Sequence, residues 1–120
     1  MPTPHRVVDL ALHPRLMQWL RDHVRDADIS VSAFARAACR ARMLDAFEAV
    51  LLDLVPDLKR GRAAVADPST TPLERTSVRL PVHTCQALAQ LPNIPARTVL
   101  RVAVMLHIAD IRRAQPPDQA

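Results

Sequence analysis

Sixteen basic residues, twelve acidic ones, five histidines and two cysteines are the groups in this 120-residue chain that can do chemistry. Their spacing narrows what that chemistry is. The histidines show no metal-ligand spacing, and Cys39 and Cys85 form no CxxC pair and have no histidine pair near them. Both cysteines read as buried thiols of a reducing compartment. No Ser/His/Asp set and no paired carboxylates stand out. Gly61 is the only glycine, which excludes a glycine-rich phosphate loop. The chain therefore reads as a non-enzyme, with no cofactor and no metal expected. His13 and His83 each stand where a helix opens, so a structural or capping role is expected of them.

Charge is the chemistry that remains. The net charge is +4, carried by fifteen arginines and Lys59. Residues 1–55 hold seven arginines against seven acids, whereas residues 56–120 hold nine basic residues against five. Such an imbalance suits a polyanion, nucleic acid before an anionic membrane surface. A surface tuned only for solubility accounts for it equally well. The start, MPTPHRVVDL, has no apolar core of a signal peptide, and the longest apolar run, Val102 to Leu106, is too short to span a bilayer. A cytoplasmic chain without membrane attachment is expected.

The elements that must position these groups are written twice. VVDLALH at 7–13 and SVRLPVH at 77–83 share a pattern at an offset of seventy: Val8 with Val78, Leu10 with Leu80, Leu12 with Val82, His13 with His83. Alternating apolar residues over such a length predict a half-buried strand. At an offset of sixty-five, DISVSAFARAACRARMLDA (28–46) aligns with NIPARTVLRVAVMLHIADI (93–111), matching Ile29 with Ile94, Arg36 with Arg101 and Asp45 with Asp110. The order strand, helix, polar turn, helix thus occurs twice. Asp28 and Asn93 end the intervening helices, and both residue types tolerate the left-handed conformation such an end needs.

A first helix is expected over about 13–27, with Leu16, Leu20 and Val24 on one face and Trp19 beside them. The next opens at ISVS, capped by Ser30 or Ser32, with an apolar stripe at Phe34, Ala38, Ala41, Leu44, Phe47, Leu51 and Leu54. The last, about 96–113, is apolar nearly all round and should be the most buried. These readings make residues 1–120 one domain: a first half at 5–55, a linker at 56–75 with a helical turn near Leu58 to Val65, a second half at 76–113, and a flexible tail at 114–120. The expected fold is mainly α with a two-stranded antiparallel ribbon, a tandem (β-α-α)×2 single-chain pseudo-dimer. One strand has no partner and one helical hairpin leaves an apolar face wet, so neither half is stable alone. Each buried strand side chain contributes roughly 1.5–3 kcal/mol.

TSVRLP followed by two helices, together with ISVSAFARAA, resembles the ribbon-helix-helix DNA-binding superfamily of the Arc and MetJ type. Two copies in one chain are similar to its tandem members, the TraY-type relaxosome proteins and the VirC-type accessory proteins of T-DNA transfer. The resemblance implies sequence-specific binding of double-stranded DNA by a ribbon in the major groove. It assigns base contacts to Arg75, Ser77 and Arg79 on one strand and to His5, Val7 and Asp9 on the other. Arg79 would pair with guanine, Ser77 donate or accept, and Val7 pack on a thymine methyl. Asp9 departs from the family pattern. It could accept from cytosine N4, but antiparallel pairing about Val7 and Ser77 would set it opposite Arg75, and that pair is the preferred expectation. Phosphate contacts fall to the two helix starts, Ser30, Val31 and Ser32, and Ala96, Arg97 and Thr98. Arg36 and Arg101 read as helix-surface charges, and Lys59, Arg60 and Arg62 as a solvated linker.

A monomer with internal pseudo-two-fold symmetry follows, acting in a plasmid or mobile element as a relaxosome or DNA-transfer accessory protein, with a relaxase as a further partner, or as a repressor. Two rivals stay open: an antitoxin-type autoregulator, disfavoured by the short polar AQPPDQA tail, and a helical protein–protein interaction module without DNA binding.

Overall fold

The computed structural model describes residues 4–60 and 72–115, with side chains to residue 52 in the first stretch. Element order is β1 (His5–Leu12), α1 (Pro14–Ala27), α2 (Val31–Arg60), β2 (Glu74–Pro81), α3 (Val82–Leu88) and α4 (Ala96–Ala114). The fold is mainly helical, with one two-stranded antiparallel sheet.

Alternation decides which way each strand faces. Leu10, Leu12, Val78 and Leu80 are buried and Val8 is half-buried, while His5, Val7, Asp9, Arg75, Ser77 and Arg79 are exposed. The register is not the expected one. Val8 pairs with Val78, Asp9 with Ser77, Val7 with Arg79 and Ala11 with Arg75. Asp9 therefore does not stand opposite Arg75. The slip is two residues, which leaves every side chain on its expected face because the strand period is two. Contacts from α2 hold β2 at its outer edge. Ser32 Oγ accepts from the Arg79 N–H at 2.8 Å, and Arg36 Nη1 donates to the Arg79 carbonyl at 3.3 Å.

Helix α1 opens with His13 as its cap, the imidazole Nδ1 accepting from the Arg15 N–H at 3.2 Å, and with Pro14 in the first turn, where a missing N–H costs nothing. Helix α3 is capped by Pro81, and His83 lies inside it. The two histidines thus do not open their helices alike, because β2 runs straight into α3 with no residue between. Asp28 (φ 56°) and Asn93 (φ 66°) both adopt the left-handed conformation, as their types suggested. The Asp28 and Ile29 N–H groups return to carbonyls of the last α1 turn and close it without glycine.

The core lies under the ribbon, where α2 and α4 cross. Phe34, Ala35, Ala38, Cys39 and Ala46 of α2 meet Val99, Leu100, Ala103, Val104 and Ile108 of α4, with Met17, Leu20 and Val24 of α1 and Cys85 and Leu88 of α3 at the sides. Small residues on α2 let the helices approach closely. Two expectations fail here. Leu44, at 81% exposure, and Leu51 face outward, so the buried line of α2 runs through Ala46 and Val50. Met105 is also exposed, so α4 is buried on one face and not all round. Arg42 spans the two helices, 3.0 Å from Asp45 and 3.1 Å from Asp110.

The linker is shorter than 56–75. Helix α2 continues past Pro56, which removes one helical hydrogen bond but not its neighbours, and β2 already includes Glu74 and Arg75. Residues 61–71, with the linker's Arg62 and Val65, and the tail from 116 lie outside the described residues, as do the side chains of Lys59 and Arg60.

Candidate nucleic-acid interface

All six residues assigned to base contacts lie on one surface, the outward face of the ribbon. Val7, 63% exposed, faces Arg79 across the strands, and Asp9 faces Ser77. The pairing axis runs through Val8 and Val78, so residues seventy apart are related by it. Val7 relates to Ser77, Asp9 to Arg79 and His5 to Arg75. Asp9 sits diagonal to both Arg75 and Arg79. Among the described residues, none of these three charges has an ion-pair partner within 4.0 Å. An arginine that is exposed, unpaired and held on a paired strand can offer its planar fork to an external acceptor.

The helix starts lie at the two edges of the ribbon. Helix α2 reaches β2 through Ser32 and Arg36. Ser30 is the cap, its Oγ accepting from the Ala33 N–H at 3.0 Å, so Ser32 is not. Ser32 spends its hydroxyl on the strand, which leaves the backbone N–H groups of Val31 and Ser32 as the anion donors at this end. Helix α4 opens at Pro95 with no side-chain cap, so the first N–H groups, on Ala96 and Arg97, have no capping acceptor. A crevice of about 180 Å³ between β1 and this helix start is lined by Asp9, Arg75, Arg97, Thr98 and Arg101 among others. The Arg101 Nε is buried there without a hydrogen-bond partner. Arg36 and Arg101, read from the sequence as plain surface charges, are both drawn in against the strands. Their matched positions on α2 and α4 were the available signal.

Elsewhere the titratable groups belong to packing. Burial pushes the Cys39 thiol up to about 11, with Cys85 adding to the rise and Arg40 opposing it. Both thiols are free and buried. His107 is held below its ordinary 6.5, mainly by burial; Asp110 opposes this, while His23 and Arg42 add to it. Its ring lies 5.0 Å from Phe34, whose other neighbour His23 stacks on Trp19 at 4.9 Å. No three of His, Cys, Asp and Glu gather as a metal site among the described residues, and no helix there is long and apolar enough to cross a membrane. No protein-family model, curated protein or solved structure matches this chain.

Proposed function

We propose that this chain is a single-chain ribbon-helix-helix protein, two strand–helix–helix copies joined by a linker, that binds double-stranded DNA sequence-specifically in the cytoplasm. The observation that carries the proposal is the outward ribbon face, with Arg75, Ser77, Arg79, His5, Val7 and Asp9 above an aliphatic core and a helix start at each edge. A two-stranded ribbon fits the major groove. Arg79 donates to the O6 and N7 of guanine, Ser77 reads beside it, and Val7 packs against a thymine methyl. Asp9, which stands opposite Ser77 and not Arg75, is left to accept from cytosine N4. The backbone N–H groups at Val31, Ser32, Ala96 and Arg97 hold flanking phosphates, helped by the Arg97 and Thr98 side chains.

Both strands of the ribbon come from one chain, so the protein acts as a monomer and its two reading strands differ. Its DNA site is therefore non-palindromic. A role in plasmid or mobile-element DNA transfer, beside a relaxase, or as a repressor fits this reading. Selection of bound duplexes from random fragments tests it, with mobility shifts at low and high salt. A non-palindromic consensus whose affinity falls steeply with salt supports the proposal. No retention of any duplex at low salt favours instead an interaction module, for which the exposed Leu44, Leu51 and Leu52 on α2 speak.

A further inference from the structure

Aligned on their first helical residues, Pro14 and Val82, helices α1 and α3 bury the same positions. Met17 falls with Cys85 and Leu20 with Leu88, and all four are buried. On the adjacent face the helices part. Trp19 of α1 falls with Ala87 of α3, and Leu16 with Thr84. Leu16 and Trp19 pack against the core. On the other side Ala87 and Thr84 leave a groove of about 410 Å³ between α3 and α2. Cys39, Met43 and Ala87 line it with apolar atoms, Arg36, Arg40 and His83 with basic ones, and no carboxylate is among its lining residues. It lies at the Pro81 end of the ribbon, on the helical side.

We infer that this groove is a docking site for an acidic protein segment with one aromatic anchor. The anchor takes on α3 the position that Trp19, packed against the core, takes on α1, and its flanking carboxylates meet Arg36, Arg40 and His83. Two independent features specify this occupant. The missing side chain, tryptophan in the other helix, sets the size and flatness of what enters, and the basic rim sets the charge of what surrounds it. A buried aromatic anchor with charged flanks is the usual economy of a small interface, where one or two side chains carry most of the binding. The inference does not rest on DNA binding, and its test contains no DNA.

The probe is a fluorescein-labelled pentapeptide with tryptophan between two pairs of glutamates, titrated with the full chain and read by fluorescence anisotropy. Saturable binding is expected, with a loss of about tenfold or more when alanine replaces the peptide's tryptophan. Ala87→Trp, which closes the groove with the residue used at position 19, is expected to weaken binding to the same degree. Arg40→Glu, at an exposed helix position, also weakens it and carries the test if Ala87→Trp lowers the melting temperature. The inference is overturned if the wild-type chain does not bind the peptide, if the alanine peptide binds equally well, or if Arg40→Glu leaves the affinity unchanged.

Discussion

The segment β1-α1-α2 and the segment β2-α3-α4 present the same order of elements with opposite finish at their edges. Where β2 meets α2, Ser32 and Arg36 satisfy both backbone groups of Arg79, and the edge is sealed. Where β1 meets α4, the aligned positions are Arg97 and Arg101, Asp9 stands in place of Arg79, and a crevice remains. By the alternation of the antiparallel ladder, Asp9 turns its N–H and carbonyl away from β2 as Arg79 turns its own away from β1. A hydroxyl reaches such an N–H as an acceptor; a guanidinium has only donors to offer. The first-helix pair differs the other way. Helix α1 has fourteen residues and covers its side of the core with Trp19, while α3 has seven and leaves a groove. One scaffold thus carries one closed and one open site on each side of its axis.

The largest effect is expected where the two segments are alike. Leu10 and Leu80 are related by the ribbon axis and both are fully buried. Leu10→Asp and Leu80→Asp should each bury an unpaired carboxylate and leave the chain unfolded at room temperature by circular dichroism. If either variant melted like wild type, that strand's inward face would be wrongly assigned.

DNA binding should separate the segments next. Arg79→Ala is expected to cost about 1–3 kcal/mol on the selected duplex and to relax one base preference. Asp9→Ala should relax a second base preference and, on the proposed contact face, raise affinity for random duplex by removing a negative charge near the polyanion. Unchanged affinity of Arg79→Ala for the selected duplex, measured by mobility shift, would mean the ribbon face is not the contact surface.

Ser32→Ala should lower stability by about 1 kcal/mol, through the unsealed Arg79 N–H. Arg97→Ala should leave stability nearly unchanged and reduce the slope of log affinity against log salt by about one. Paired urea titrations and salt titrations read both. A stability loss in Arg97→Ala matching that of Ser32→Ala would erase the distinction between the sealed and the open edge.

The smallest effect is one of pH. The folded protein holds His107 below its ordinary 6.5, so the unfolded chain takes up the proton first as pH falls. His107 therefore favours folding fully above that ordinary value, and the contribution is lost as pH falls from about 6.5 toward the folded value. Melting temperature should decline over that window, and His107→Phe should flatten part of the decline. A variant with the wild-type slope would assign the acid sensitivity to other groups.

Much of this was readable locally. Val8, Leu10 and Leu12, like Val78 and Leu80, mark the inward face at every second residue. Asp28 and Asn93 mark helix ends because few other residues accept positive φ. Cys39 and Cys85 are buried thiols, as their lack of partners suggested. The failures occurred where one pattern permits two answers. Leu44 and Leu51 have helical spacing with Phe34, but so do Ala38 and Ala46, and it is these small residues that lie in the core against α4.

Sequence alone determined which strand residues face the core, where the chain turns, and that its one-sided basic character demands an explanation. These are properties of periods of two and of single-residue backbone preferences, and they need no distant neighbour. Only the tertiary structure decided the register, the partner of Ser32, and which helix face is left open at Ala87. A slip of two residues changes no side chain's face, so the strand pattern cannot detect it. Ser32 and Arg36, forty-seven and forty-three residues away from Arg79 along the chain, fix where β2 lies against α2, and no local pattern announces a contact at that distance.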